Sequence, residues 1–292
     1  MIDELWDKIM GGPERRAKVE EVAETINIPS QPKVMQDINL EFIKKNVDFG
    51  RIGELISRDV GLSAKILKVA NSPLFAHSSP IDSIDHALMM LGAKQFKQTI
   101  LASALRQAIE GKVPASEEFW HHTESMGLIC DAIARKFQPD LVEYSYMTGL
   151  FHDCAVPVLM GRSPEFKRLV PRILGRDRLV AQEEEAECEI EHGSLGLVMT
   201  RSWSIPIPIV KVVRAHHSDD FLDHDDELAT RLHVILAIAE NYFLYSRNFE
   251  DELFGTAARN PELFAAIDDA TGWNESQVLR LTDSLDARFK IA

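Results

Sequence analysis

Seven residues between positions 122 and 240 have the types and placement to hold a transition metal: His122, the adjacent pair His152–Asp153, His192, the doublet His216–His217, and Glu240. Imidazole and carboxylate are standard ligands for such ions. An ion so held would activate water and polarise a phosphoryl group, with Asp153 as ligand and proton acceptor. Each residue alone has a plainer reading. An inward histidine is usually a hydrogen-bonded core residue, Asp153 can cap a helix or pair with a cation, and a His–His doublet at a helix end can remain solvated while favouring the macrodipole. Several inward histidines together are harder to dismiss, because burying that many imidazoles without ligands or hydrogen-bond partners is costly. The other histidines, among them His77, His86 and His224, show no such pattern.

These residues can meet only if helices bring them together. From about residue 118 to 137, Phe119, Met126, Ile129, Cys130, Ile133 and Phe137 recur at helical intervals and define a buried face. His122 lies one turn before Met126 and points inward, whereas His121 is rotated away by about 100°. His152 and Asp153 follow a helix containing Tyr144, Met147 and Phe151. Pro157 cannot donate to the carbonyl of Asp153, so that helix should bend or stop near the pair. His192 shares its face with Leu195 and Met199, and Gly193 and Gly196 would let another helix approach closely. Pro206 and Pro208 start a helix burying Ile209, Val212 and Val213, with His216 and His217 at the edge of that face. Leu232, Leu236 and Ala239 define one more buried face, flanked by Glu240.

The first half is helical as well, and no period-2 strand interrupts it. A helix over about residues 2–9 stops at Gly11-Gly12-Pro13, and Pro29–Pro32 is a second break. Val34, Ile38 and Phe42 mark the next helix. Asp48 is a plausible N-cap for one burying Phe49, Ile52 and Ile56. Leu62, Ile66 and Ala70 mark another, closing at Asn71-Ser72-Pro73. Ile84, Leu88 and Leu91, then Phe96 and Ile100 beyond Gly92, mark a longer stretch. The polar connector at 111–118 separates an N-terminal helical bundle, residues 1–115, from a second helical domain, residues 116–292. The fold class expected is all-α in two helical parts.

Composition narrows the function classes. Hydrophobic residues at 45% and charged residues at 27% describe a globular chain. No apolar run is long enough to span a bilayer, and the acidic, amphipathic N-terminus lacks the basic start of a signal peptide. Three scattered cysteines form no disulfide framework, which fits a reducing cytoplasm. The net charge of −14 argues against nucleic acid and against an anionic membrane surface. Acidic stretches at 183–187 and 219–227 would repel a phosphate backbone.

The segments NIPSQPKVMQDINLEFI, ELISRDVGLSAKILKVANSPLF and SIDHALMMLGAKQFK resemble the opening of the HDOD output domain, a relative of the HD phosphohydrolases of bacterial signalling. The similarity continues through FWHHTESMGLICDAIA, YMTGLFHDCAVPVL, EIEHGSLGLVMTRSWSIP and VRAHH, covering about residues 28–217. It implies an N-terminal helical bundle, distinctive of the family, packed on an HD-like bundle. It also implies a regulatory role without established enzymatic activity. In that resemblance His122 takes the place of the first HD ligand, His152–Asp153 is the namesake pair, and His192 with His216–His217 match later histidines of the HD-GYP branch. Glu240 stands near the superfamily's last aspartate.

Two departures matter. The chain reads HDCAVP where active HD-GYP proteins read HDIGK, so Val156 replaces a phosphate-engaging lysine. The GYP element is absent, and the sequence after the doublet runs HHSDDFLDHDD. The leading expectation is a cytoplasmic signalling module that acts through contacts with signalling proteins of kinase, receiver or GGDEF type, with a site for iron, manganese or zinc. The alternatives are a metal-dependent phosphohydrolase of nucleotides or phosphoesters, with Asp153 in the catalytic role, and a sensor of a metal or small ligand.

Overall fold

The computed structural model describes residues 2–26, 28–42, 44–71, 80–110, 117–174, 180–217 and 226–247, with single positions between 265 and 280. Every regular element among these residues is a helix, as the periodicity predicts. The chain groups into two compact units, Pro29–Pro114 and a second assembled from Met1–Ile28 with Ala115–Ala292. The expected connector at 111–118 and the acidic stretch at 219–227 lie largely outside the described residues.

The second unit starts with α1 (Ile2–Met10) and α2 (Pro13–Thr25). Gly11 and Gly12 make the turn between them at φ 84° and 122°, a region open to glycine without steric cost. The sequence reading put these residues in the N-terminal bundle, but their partners lie far along the chain. The guanidinium of Arg201 sits 4.4 Å from the Trp6 ring centroid, Arg15 pairs with Glu191 at 2.8 Å, and Lys18 pairs with Glu185 at 2.9 Å. Val19, Val22 and Ala23 bury the inner face of α2.

The other unit comprises α3 (Lys33–Phe42), α4 (Phe49–Ser57), α5 (Val60–Ala70) and α6 (Ile84–Ile109). Asp48 caps α4 by accepting from Arg51 N, as its position predicts, and Asp59 caps α5 by accepting from Leu62 N. Ile52, Ile56, Leu62, Ile66 and Ala70 are fully buried. Phe49 is only half-buried and meets the Phe42 ring edge-on at 6.4 Å. Gly92, at φ 71°, breaks α6 into two segments.

Beyond residue 116 the second unit resumes with α7 (Glu117–Phe137), α8 (Val142–Phe151), α9 (Val156–Arg162) and α10 (Val170–Leu174). Then come α11 (Val180–Cys188), α12 (His192–Ser202), α13 (Ile207–Ala215) and α14 (Glu227–Arg247). Three glycines set the helix spacing that matters for the site. A Cβ on Gly149 of α8 would lie 2.4 Å from the Met126 carbonyl oxygen of α7, so these helices touch backbone to backbone. A Cβ on Gly193 would lie 2.8 Å from Arg214 O, and one on Gly196 would lie 2.8 Å from Val213 Cγ1. The close helix approach expected at those two glycines is therefore that of α12 on α13.

Candidate metal centre

Five side chains converge in the second unit, each almost wholly buried: His122, His152, Asp153, His192 and His216 are 2%, 1%, 2%, 2% and 1% exposed. His122 comes from the inner face of α7, while His121 on the next position is exposed. α8 ends at Phe151, so His152 and Asp153 occupy the turn before α9 rather than a continuous helix. Pro157 opens α9 in its first turn, where a missing N–H costs nothing. That break lets two adjacent side chains, which a regular helix would splay by about 100°, serve one site. His192 is the first residue of α12 and His216 follows the last residue of α13.

Asp153 lies at the centre and its two oxygens face different groups. Oδ2 is 3.1 Å from His152 Nε2 and 3.6 Å from His122 Nε2. Oδ1 is 3.3 Å from His216 Nε2 and 3.5 Å from His192 Nε2. Across each group the imidazoles also meet, His122 Nε2 to His152 Nε2 at 3.4 Å and His192 Nε2 to His216 Nε2 at 3.2 Å. His217, half-buried, joins the second group, with its ring centroid 4.4 Å from that of His216. Within each group the ligand atoms lie within 4.8 Å of one another.

The outer nitrogens fix which atoms face inward. His152 Nδ1 lies 2.8 Å from Gly149 O and His216 Nδ1 lies 2.9 Å from Val213 O. A carbonyl only accepts, so each Nδ1 carries the hydrogen, and in the neutral form of each ring the Nε2 lone pair faces the centre. His192 Nδ1 donates to the Glu184 carboxylate at 2.7 Å, which leaves its Nε2 in the same state. Lone pairs and a carboxylate oxygen at 3.2–3.5 Å repel one another unless protons or a cation lie between them. This donor set, with outer nitrogens anchored to carbonyl or carboxylate, suits a divalent transition metal. The two groups, sharing Asp153, are able to hold metal.

The proton affinities reflect this crowding. Burial would raise the Asp153 carboxyl, but His152, His122 and His216 outweigh it and hold it well below the ordinary carboxylate range. Burial would lower His152, but Asp153, Glu240 and the Gly149 carbonyl raise it to about 9. Burial prevails at His122, which is lowered, although Asp153 and Glu240 oppose it. His192 is raised because Glu184, Asp153 and Glu191 overcome its burial.

Glu240 is buried at 7% exposure on α14 and acts on His122 and His152 through its charge, yet it belongs to neither ligand group. Two residues were not singled out from the sequence. Glu184 is fully buried and holds His192 by both its ring and its backbone N–H, the latter at 3.0 Å. It belongs to the acidic stretch 183–187, yet Val180, Glu184 and Cys188 form a buried stripe at four-residue spacing that marks it. His233, also fully buried, places Nε2 3.3 Å from the carbonyl oxygen of His216 and steadies the end of α13.

The model of the HDOD domain family matches residues 28–219. An HDOD domain protein of unknown function from Geobacter sulfurreducens superposes with a TM-score of 0.70 at 23% identity, covering 94% of each chain. A Shewanella amazonensis SB2B protein, provisionally described as a phosphohydrolase, superposes with a TM-score of 0.68 at 20% identity, again covering 94% of each chain. A Marinobacter aquaeolei VT8 protein, provisionally described as a signal transduction protein, gives 0.69 at 18% identity over 94% of this chain and 63% of that one. At these identities the likeness is one of fold. The chain is also 22% identical over 194 residues to an uncharacterized protein of Treponema pallidum (strain Nichols), of whose length it spans 38%.

Proposed function

Because the chain belongs to the HDOD family, we propose that it is a cytoplasmic regulatory module of bacterial signal transduction that works through contacts with other signalling proteins, and that its His/Asp cluster is a metal-holding structural core. The observation that carries this reading is the burial of the cluster. Five converging groups that are each no more than 2% exposed leave a phosphoester no path to Asp153 in this conformation. Val156 strengthens it: the residue standing where HD-GYP proteins carry a phosphate-engaging lysine is fully buried in the first turn of α9. No helix of the described residues is long and apolar enough to cross a membrane.

In this reading His122, His152 and Asp153 would hold one ion, and His192, His216, His217 and Asp153 would hold another. Such an ion would supply Lewis acidity and cross-link α7, the α8–α9 turn, α12 and α13. Glu184 and the Gly149 and Val213 carbonyls set the imidazole tautomers, and the shared carboxylate couples the two halves. A phosphohydrolase is the second reading, favoured by the same paired arrangement around one aspartate, since two ions flanking a reacting group are a recurrent hydrolytic device. Turnover of cyclic dinucleotides and simple phosphoesters with added Mn²⁺ or Fe²⁺ separates the two. The regulatory reading expects none. Turnover near the enzymatic median of about 10 per second, abolished by Asp153→Ala, would replace it with the hydrolase.

A further inference from the structure

One carboxylate joins three segments of the second unit beside the histidine groups. Glu191 stands at the N-cap of α12, but its side chain does not cap that helix. Its Oε1 accepts instead from Arg15 Nη2 of α2 at 2.8 Å and from Ser194 Oγ at 2.9 Å, and it pairs with Arg214 Nη1 of α13 at 2.8 Å. Glu191 immediately precedes His192, and Arg214 stands two residues before His216. The brace therefore crosses from α12 to α13 next to two imidazoles whose Nε2 atoms lie 3.2 Å apart. At the same crossing a Cβ on Gly193 would lie 2.8 Å from the Arg214 carbonyl oxygen, so backbone and side chain of Arg214 set the spacing together.

Such a brace is costly to build. The Glu191 and Arg214 side chains are only 13% and 20% exposed, and the Nε atoms of Arg15 and Arg214 are buried without a hydrogen-bond partner. Replacing a desolvated ion pair by apolar side chains of similar volume is often neutral or stabilising, so stability alone accounts poorly for it. The hairpin of α1 and α2 also holds α12 at its other end. There Arg201 lies 4.4 Å from the Trp6 ring centroid and 3.5 Å from Glu20 Oε1. One hairpin, preceding the segment matched to the family, thus grips the helix that carries His192 at both ends. His122 and His152 stand outside this grip, on α7 and in the α8–α9 turn, whereas the side-chain partners of Glu191 lie on α2, α12 and α13.

We propose that Glu191, Arg214 and Arg15 are positioning residues for the ion of the His192, His216 and His217 group, and that the α1–α2 hairpin thereby sets the affinity of this group while leaving the His122 and His152 group largely unchanged. The proposal rests on the reading of the cluster as metal-holding. With the hairpin docked, three donors from three segments lock the Glu191 carboxylate, and the ends of α12 and α13 keep the spacing their histidines need. With the hairpin lifted, the carboxylate turns, the two helix ends separate and the ligands lose their common geometry. Linkage makes the effect reciprocal, so an ion in this group also tightens the hairpin on α12.

The test is titration of the metal-free intact chain with Co²⁺, read by calorimetry and by the visible absorption of the bound ion, which reports its ligand geometry. The parent should take up two ions, one in each group, and His122→Ala, which empties the first group, identifies the second. Arg214→Met should weaken the second ion by about 10–100-fold, as loss of a group that orients a ligand does, and alter its absorption while the first ion is retained. Arg15→Met, at a side chain 39% exposed, should weaken the same ion by about fivefold or more, the lower end of coupling between sites. Arg15→Lys should retain most of the affinity. Arg162→Met is the control: it removes the bonds to Thr25 of the hairpin and to Glu189, at 2.8 and 2.9 Å, and should leave both ions unchanged. Saturating Co²⁺ should slow hydrogen exchange along α2 in the parent and not in Arg15→Met. Equal affinities and spectra in the parent, Arg214→Met and Arg15→Met would overturn the proposal and leave the metal reading standing. Loss of both ions together from Arg15→Met would overturn it too, by placing the effect in the fold as a whole. A parent that binds no Co²⁺ would remove the metal reading and the proposal with it.

Discussion

A methyl group added at Gly149 would lie 2.4 Å from the carbonyl oxygen of Met126, 2.7 Å from its carbonyl carbon and 2.9 Å from Cys130 Sγ. Two of those atoms are backbone in the middle of α7 and cannot rotate aside. Gly149→Ala must therefore push α7 and α8 apart. Overpacking of this kind costs about 1–3 kcal/mol, and immovable neighbours place it at the upper end, about 3 kcal/mol. Alanine gains about 1 kcal/mol over glycine in helix propensity, leaving a net loss of about 2 kcal/mol. For a domain of this size that lowers the melting temperature by roughly 4–8 °C. The same displacement separates His122 from His152, now 3.4 Å apart at Nε2, so metal affinity should fall with stability. Thermal melts by circular dichroism, run with and without added Zn²⁺, read both effects. Gly61→Ala is the control, because its new methyl meets first the end of the flexible Gln107 side chain, at 3.1 Å. It should be neutral or slightly stabilising. A Gly149→Ala protein that melts at or above the parent temperature would refute the backbone contact and the positioning built on it.

Two further perturbations follow from the same geometry. Glu184→Gln should weaken metal binding by about 10–100-fold, the usual cost of losing a group that orients a ligand histidine, whereas Glu183→Gln, exposed one residue earlier, should leave it unchanged in calorimetric titration. Burial would raise Glu191, but Arg214, Ser194 and Arg15 prevail and hold its carboxyl below the ordinary range. A depressed folded value means the ionised group stabilises the fold above the unfolded carboxyl range, and that contribution is lost as pH falls through the folded value. Glu191→Gln should therefore cost about 2 kcal/mol at neutral pH, within the range for a charged hydrogen bond left unmade. The gap to the parent should close in acid, as urea melts across pH would show.

The helical phases were legible in the sequence because they follow from periodicity along one element, and so was the room for a neighbour at Gly193 and Gly196, though neither the partner helix nor the Gly149 contact was. His122 buried beside exposed His121 needed only a spacing of about 3.6 residues per turn. What depended on the approach of distant elements was not legible. That the Oδ1 and Oδ2 of Asp153 face separate histidine groups follows from where α7, α12 and α13 arrive around the α8–α9 turn. Pro157 announced an interruption near the pair, but not that it would open a new helix. Residues 1–28 join the second unit through Trp6, Arg15 and Lys18, whose partners lie more than 160 residues away and leave no periodic trace. Glu184 was hidden by its neighbours, since an acidic run suggests solvent even where one member falls on a buried stripe.

Imidazole Nε2 atoms and one carboxylate converge where either protons or a cation must lie between them. The most direct test of the metal centre is elemental analysis of the intact chain purified without an affinity tag or chelator, alongside Asp153→Ala. Iron, manganese or zinc should accompany the parent protein in stoichiometric amount. Removing the carboxylate shared by both groups should empty them together while the helical signal persists. A folded parent chain that carries no metal, and takes up none when iron, manganese and zinc are offered at neutral pH, would contradict the metal centre.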